Sequence, residues 1–145
     1  GRSLWYQTFQ QLPHLAEAML PGNEEVWLRT FLRFADGRSF PDETFAEYVR
    51  TFRIPGTPRT SASYYRTLKA DMTRWQAMAG RNFGVPGLVL HGTADPVIVP
   101  EYFVGAESCF SQFKLVSMEG AGHFLMEERP EAVGRALGGW LEELK

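Results

Sequence analysis

Asp95 and His123 are the residues of this chain whose types and surroundings predict chemistry. Each follows a short apolar run, residues 88–90 and 113–118, that is typical of a buried parallel strand, and each lies in a loop that contains glycine. Because the carboxyl ends of parallel strands meet at one edge of a sheet, where sites form, we expect the two side chains to come together. A carboxylate can orient an imidazole, and an oriented imidazole is a general base. The pattern therefore predicts a catalytic pair.

A nucleophile is the part that this pattern lacks. The sequence contains neither Gly-x-Ser-x-Gly nor Gly-x-Asp-x-Gly, the motifs of the strained turn that presents a nucleophile at the end of a strand. We therefore expect the nucleophile to lie in a preceding part of the protein, with this chain as a C-terminal portion. By itself the chain is expected to be inactive.

Composition argues against several classes of function. The 145 residues are 44% hydrophobic and 14% aromatic, as in a globular protein, and the formal net charge is −2 without a basic block, so no nucleic-acid partner is expected. No apolar run reaches the roughly 20 residues of a membrane span, and the first residues do not resemble a signal peptide. The single cysteine, Cys109, and the lack of a zinc-type Cys/His cluster predict a cytoplasmic protein without metal or cofactor.

The pattern of apolar residues changes near residue 83. Before it, apolar and aromatic residues recur at helical spacing between proline and glycine breaks, which predicts a helical domain over residues 1–82 with four or five short helices. The predicted helices cover residues 5–12, 14–20, 24–34, 43–52 and 60–72, followed by a short turn at Trp75. In the third helix the predicted apolar stripe consists of Val26, Trp27, Phe31 and Phe34.

Residues 83–145 form the second predicted domain, in which strands alternate with helices. The first strand is followed by a weak helix over residues 100–110, interrupted by Gly105, and the second by an amphipathic helix over residues 129–144. The predicted inward stripe of this last helix consists of Val133, Leu137, Trp140, Leu141 and Leu144. Parallel strands are normally covered on both faces, so two strands alone predict a further part of the sheet. The missing N-terminal half of the same fold is thus an expected partner.

These motifs resemble a known family. Residues 85–144 resemble the C-terminal third of the α/β-hydrolase fold, and the helical first part resembles its cap. Residues 5–17 are similar to the opening of the cap in soluble epoxide hydrolases, and Ser63-Tyr64-Tyr65-Arg66 is similar to the segment that carries the second tyrosine of that cap. The predicted fold class is α/β, with the last two parallel strands and their helices preceded by an all-helical cap.

The resemblance implies a two-step hydrolysis. An aspartate of the absent half would attack an epoxide carbon, while Tyr6 and Tyr65 donate hydrogen bonds to the oxygen as it becomes an alkoxide. His123, oriented by Asp95, would then activate water against the ester intermediate. Trp5 and Phe9 would line a pocket for a small apolar substrate.

Three hypotheses stay open at the level of sequence. The first is a portion of an epoxide hydrolase-like enzyme, with dehalogenase-like variants included. The second is a portion of a serine hydrolase of esters or related acyl compounds, since the same Asp-oriented histidine serves both. The third is a noncatalytic or split-enzyme fragment. The sequence also leaves open whether Tyr64 or Tyr65 points inward.

Two further features are predicted to be structural. His91 stands at the end of the first strand beside Gly92, and the charged run Glu127-Glu128-Arg129, with Glu131, is typical of a solvated helix start, where carboxylates favour the N-terminus.

Overall fold

A computed structural model describes residues 5–33 and 40–145 of the chain. Their contacts divide them into two compact units. The first unit holds residues 5–33 and 41–79, and the second holds Phe40 and residues 80–145. None of the described helices is long and apolar enough to cross a membrane.

The first unit is entirely helical over its described residues. Its six helices are α1 (Trp5–Gln11), α2 (Leu15–Met19), α3 (Glu24–Leu32), α4 (Asp42–Phe52), α5 (Thr57–Arg66) and α6 (Leu68–Gln76). The break after α1 falls at Pro13, which cannot donate a backbone hydrogen bond, and Pro58 lies in the first turn of α5, where no donor is needed.

Aromatic rings form the centre of this unit. Trp27 of α3 packs against Phe9 and Phe31, with ring centroids 5.2 and 5.7 Å away, and Phe31 in turn contacts Tyr6 at 4.7 Å. Ala16, Leu20, Phe45, Val49 and Ala62 are also buried. Val26, which the helical pattern placed beside Trp27, is 68% exposed, and Phe34 at the predicted end of α3 lies outside the described residues.

The helix predicted over residues 60–72 was wrong in its extent. The structure has two helices here, α5 and α6, which meet at Thr67. The Thr67 hydroxyl donates to the carbonyl oxygen of Tyr64 at 3.2 Å, a local bond that competes with continued helix. As a result the described part of this unit has six helices rather than four or five, and Trp75 lies inside α6.

The second unit contains two parallel strands. Strand β1 (Pro86–Gly92) pairs with β2 (Gln112–Met118) in a register that sets Pro86 opposite Gln112 and Gly92 opposite Met118. The connection between them holds two short 3₁₀ helices, Pro100–Phe103 and Ala106–Cys109, rather than one weak α-helix. They are separated at Gly105, whose φ of +84° favours glycine and ends the first turn.

Two helices follow β2, namely α7 (Leu125–Glu128) and α8 (Pro130–Glu143). Trp140 is the one buried side chain of α8. Leu137 and Leu141, which the sequence pattern placed on an inward stripe, are 45% and 53% exposed. The apolar face of α8 is therefore only partly covered by this unit.

Candidate active site

The loops that follow β1 and β2 begin at the same edge of the sheet because Gly92 and Met118 are register partners. Backbone hydrogen bonds tie the loops together. Thr93 N–H donates to the carbonyl oxygen of Met118 at 3.1 Å, and Ala94 N–H donates to that of Ala121 at 2.9 Å. This pairing places the two predicted catalytic residues in adjoining loops.

Gly92 makes the close approach of the loops possible. A Cβ atom at this position would overlap the carbonyl oxygens of Ala121 and Gly122, which belong to backbone and cannot turn aside as a flexible side chain does. Only glycine fits where two backbones come this near. Gly92, the last residue of β1, therefore sets how closely the loop of Asp95 approaches the loop of His123.

Asp95 and His123 form a hydrogen-bonded pair. The Nδ1 atom of His123 lies 2.8 Å from Oδ2 of Asp95. The other carboxylate oxygen, Oδ1, accepts hydrogen bonds from the backbone N–H groups of Val97 at 2.7 Å and Ile98 at 3.1 Å. The Asp95 side chain is 6% exposed, whereas that of His123 is 30% exposed. The carboxylate is thus fixed inside the unit while the imidazole reaches its surface.

The environment of Asp95 keeps its carboxylate ionised. Burial works to raise the pKa of Asp95, but the hydrogen bond from His123 and those from the backbone of Val97 and Ile98 outweigh it, so the pKa lies below the ordinary value of 3.8. An ionised carboxylate only accepts hydrogen bonds. The bond between Asp95 and His123 therefore needs a proton on Nδ1 of His123, and in the neutral imidazole Nε2 is then the nitrogen that can act as a base.

His91 is a buried supporting residue. Its side chain is 3% exposed, and Nε2 donates to the carbonyl oxygen of Ile98 at 2.9 Å. The same Ile98 donates its N–H to Asp95. His91 also borders a cavity of about 130 Å³ beside Asp95 and His123. The position of His91 fits the structural role predicted for it.

Glu128 was missed by the sequence analysis. Read as part of a solvated charged run, it is in fact 7% exposed. Its Oε1 accepts from the N–H of Phe124 at 3.0 Å, and its Oε2 accepts from the N–H of Gly122. The available signal was its place four residues after Phe124, because a glutamate near a helix start can reach back to the N–H of the N-cap residue.

The tyrosines predicted to bind substrate come together in the first unit. The rings of Tyr6 and Tyr65 are 5.6 Å apart and nearly perpendicular, at 82°. Tyr6 is 7% exposed, and Tyr64 is 76% exposed. Tyr65 rather than Tyr64 is therefore the residue that turns inward. Burial and then the neighbouring Tyr6 raise the pKa of the Tyr65 phenol above 10.0, which keeps it protonated as a donor.

Trp5 and Phe9 border an apolar recess of about 470 Å³ in the same unit. The other lining residues are Met19, Leu20, Asn23, Val26, Trp27 and Thr30. Recesses of this size and character are typical of small-molecule sites. The structure thus places both predicted pocket residues on one recess.

Metal binding has no evident place in the part of the chain that the structure describes. Within residues 5–33 and 40–145, no group of three or more His, Cys, Asp or Glu side chains could hold an ion. The charged groups at the site are instead engaged with one another or with backbone N–H groups.

Comparison with known proteins identifies the family. Residues 3–136 match the model of the alpha/beta hydrolase family, and the chain belongs to that family. Cfl2 of Burkholderia cenocepacia, a solved structure, superposes with a TM-score of 0.81 at 26% identity over 94% of this chain and 47% of its own. The match confirms the predicted fold class, α/β with two parallel strands after a helical region.

Curated relatives include several epoxide hydrolases. Epoxide hydrolase A of Mycobacterium tuberculosis is 33% identical over 97 residues, which are 66% of this chain and 29% of the relative. The soluble epoxide hydrolase of a Corynebacterium species is 27% identical over 130 residues, which are 83% of this chain and 43% of the relative. The resemblance to epoxide hydrolases is therefore confirmed. The chain spans less than half the length of either relative.

Proposed function

We propose that this chain is the C-terminal portion of an epoxide hydrolase-like enzyme, to which it supplies the Asp95–His123 pair and two cap tyrosines. The observation that carries the proposal is the 2.8 Å hydrogen bond between His123 Nδ1 and Asp95 Oδ2 at the carboxyl edge of two parallel strands. Such a pair serves hydrolysis through a covalent intermediate, with the nucleophile in a preceding part of the protein. That part is the proposed partner of this chain.

In the first step, a carboxylate nucleophile attacks one epoxide carbon, and the bond from that carbon to the epoxide oxygen breaks. The hydroxyl groups of Tyr6 and Tyr65 donate hydrogen bonds to the oxygen, which becomes the alkoxide and takes up a proton from one of them. That phenol then regains its proton from solvent. Donors placed where negative charge develops stabilise the transition state more than the ground state. The raised pKa of Tyr65 supports this role because the group remains a donor.

In the second step, Nε2 of His123 takes a proton from a water molecule as the water attacks the ester carbon of the intermediate. Asp95 stabilises the imidazolium that forms and keeps the ring in the tautomer with its proton on Nδ1. Collapse of the intermediate expels the diol oxygen, which takes the proton from Nε2 of the imidazolium, so that the diol is released and both the carboxylate and the neutral histidine are regenerated. His123 is thus needed for this step and not for attack on the epoxide.

The proposed substrate is a small apolar epoxide. The recess bordered by Trp5 and Phe9 supplies aromatic and aliphatic surface, and its two polar residues, Asn23 and Thr30, carry no charge. The names of the curated relatives favour the same reaction class. We also propose a cytoplasmic location, since the single Cys109 is free and favours a reducing compartment.

Substitution of the tyrosines in the full-length natural protein tests the substrate class. Tyr6→Phe and Tyr65→Phe should each slow epoxide opening about 10²–10³-fold, as loss of one such donor does, while hydrolysis of an ester changes little. Tyr64→Phe is the matched control, because Tyr64 adjoins Tyr65 but is 76% exposed, and it should leave both rates unchanged.

Three observations separate the alternative functions. Small and equal effects of Tyr6→Phe and Tyr65→Phe on both substrates would assign the rings to packing. A serine at the nucleophile position, read from the natural sequence upstream of this chain, would favour a hydrolase of esters or related acyl compounds. An inactive natural protein without any nucleophile would support a noncatalytic or split fragment.

A further inference from the structure

Glu128 holds the backbone on both sides of His123. It is the last residue of α7, and its carboxylate reaches back over the helix. One oxygen accepts the N–H of Phe124 at 3.0 Å, and the other accepts the N–H of Gly122. Phe124 directly follows His123 and Gly122 directly precedes it. The two bonds therefore bracket the residue that carries the imidazole.

The two hydrogen bonds are strong because the Glu128 carboxylate is buried. Glu128 is 7% exposed, and a buried charge is costly unless polar partners satisfy it. Backbone N–H groups that donate to a carboxylate form stronger bonds than those that donate to a neutral acceptor. Any rotation of the peptide groups beside His123 would break one of them and leave the buried oxygen unsatisfied.

A simple helix cap does not account for both bonds. The bond to Phe124 is of the capping kind, because Phe124 is the N-cap of α7. Gly122 lies two residues before that cap and outside the helix, so its bond to Glu128 satisfies no N–H group of α7 or of its cap. What the two bonds have in common is the residue between them.

We propose that Glu128 is a positioning residue for His123, which fixes the direction of its side chain so that Nδ1 meets Asp95 and Nε2 faces the reacting water. Asp95 sets the tautomer of the ring, and Glu128 sets the backbone from which the ring projects. Both carboxylates use backbone N–H groups as anchors. The catalytic consequence rests on the proposed function, whereas the effect on the imidazole does not.

A proton resonance of His123 tests the effect on the imidazole. In the full-length natural protein, the Nδ1–H that is bonded to Asp95 should give a downfield, slowly exchanging signal, assigned by its loss in His123→Ala. Glu128→Gln keeps the size of the side chain but presents an amide N–H₂ to a backbone donor, so this signal should shift and exchange faster. Glu131→Gln, an exposed glutamate at the start of α8, should leave it unchanged.

The two chemical steps test the consequence for turnover. Glu128→Gln should slow hydrolysis of the ester intermediate by about 10- to 100-fold, as small misplacements of a catalytic group do, without slowing its formation. The intermediate should then accumulate and appear by mass spectrometry of the quenched enzyme. Glu131→Gln should match the unaltered enzyme in both steps.

An unchanged His123 signal together with an unchanged ratio of the two steps in Glu128→Gln would overturn the proposal. Should Glu128→Gln fail to fold, Glu128→Asp retains the charge but reaches only one of the two N–H groups, and the same shift is expected. Failure of both variants to fold would overturn the proposal in favour of a purely structural role. A shifted signal in a protein without two-step hydrolysis would keep the positioning role and refute the proposed function.

Discussion

The two oxygens of the Asp95 carboxylate accept hydrogen bonds from different partners. Oδ2 accepts from His123, and Oδ1 accepts from the backbone of Val97 and Ile98, so the orientation of the carboxylate does not depend on the histidine. The oxygen that bonds to His123 can therefore be replaced while the hydrogen bonds from the backbone to the other oxygen remain.

Asp95→Asn makes this replacement. The amide oxygen can still accept from the N–H groups of Val97 and Ile98, but the N–H₂ group would face Nδ1 of His123 and favour the wrong tautomer. We expect turnover in the full-length protein to fall by roughly 10⁴-fold with little loss of stability. Rates and thermal melting of Asp95→Asn, with His123→Ala as the inactive reference, check this. Near-normal turnover of either variant would remove the pair from the mechanism.

At the scale of residues, the sequence predicted which side chains meet better than it predicted the groups that hold them. Asp95 and His123 stand out because each follows a strand, and the strands bring them together. Glu128 does not stand out, because its burial depends on how the loop before α7 folds back over it. The inward direction of Tyr65 rather than Tyr64 likewise depends on which helices pack against α5.

At the scale of elements, the junction between β1 and its loop depends on Gly92. In Gly92→Ala the new methyl group would overlap two backbone oxygens, so the loops must separate, and we expect the free energy of unfolding to fall by about 1–3 kcal/mol. Gly134→Ala is the matched control, because Gly134 lies within α8 with no atom near its would-be Cβ. There the substitution should raise stability by about 0.5–1 kcal/mol. Denaturant titration of both variants measures the difference, and equal effects would contradict the close approach at Gly92.

The ion pair between α2 and α5 gives a second prediction for elements. Both guanidinium Nη atoms of Arg66 bond to the carboxylate of Glu17, at 2.6 and 2.8 Å. The hydrogen bond from Arg66 is the main cause that lowers the pKa of Glu17 from 4.5 to about 2. Because the folded-state pKa is the lower one, the stabilisation is complete above pH 4.5 and disappears as the pH falls through about 2.

Glu17→Gln should therefore lower Tm at pH 7, and the difference in Tm between the variant and the unaltered protein should vanish toward pH 2. Melting curves across this range measure it. Glu25→Gln removes a carboxylate that pairs with Arg29 on the exposed surface of α3, and its effect on Tm at pH 7 should be smaller. A difference in Tm for Glu17→Gln that stays constant with pH would show that packing, and not charge, holds α2 to α5.

The sequence predicted a strand or a break correctly where a few neighbouring residues determine it. Both strands and the break at Gly105 follow from short apolar runs and from one glycine. The division of α5 from α6 does not, because Thr67 is compatible with a helix and even keeps helical backbone angles at the break, so its residue type does not mark the boundary. The overestimated inward stripe of α8 has another cause, since helical spacing shows which side chains share a face but not how much of that face a neighbour covers.

At the scale of the whole molecule, the two units leave considerable apolar surface in contact with solvent. Helix α6 has no buried residue, and its Met72 and Trp75 are 49% and 55% exposed. In α8, Leu137 and Leu141 are exposed as well. Apolar side chains of this size on unpaired faces are typical of surfaces that another chain or segment covers. Under the proposed function, the preceding part of the protein covers them.

The isolated chain is therefore expected to bind a hydrophobic dye more strongly than the full-length natural protein, and to hydrolyse neither epoxides nor esters. The dye reports the uncovered faces of α6 and α8. The lack of turnover follows from the proposed function, in which the histidine base acts only on an intermediate that a nucleophile has formed. Dye fluorescence and product formation by both proteins at equal concentration measure these effects, with the heat-denatured chain as the blank. Turnover by the isolated chain above that blank would place a nucleophile among its own residues, whereas equal dye binding by the two proteins would show that these faces remain open in the whole molecule.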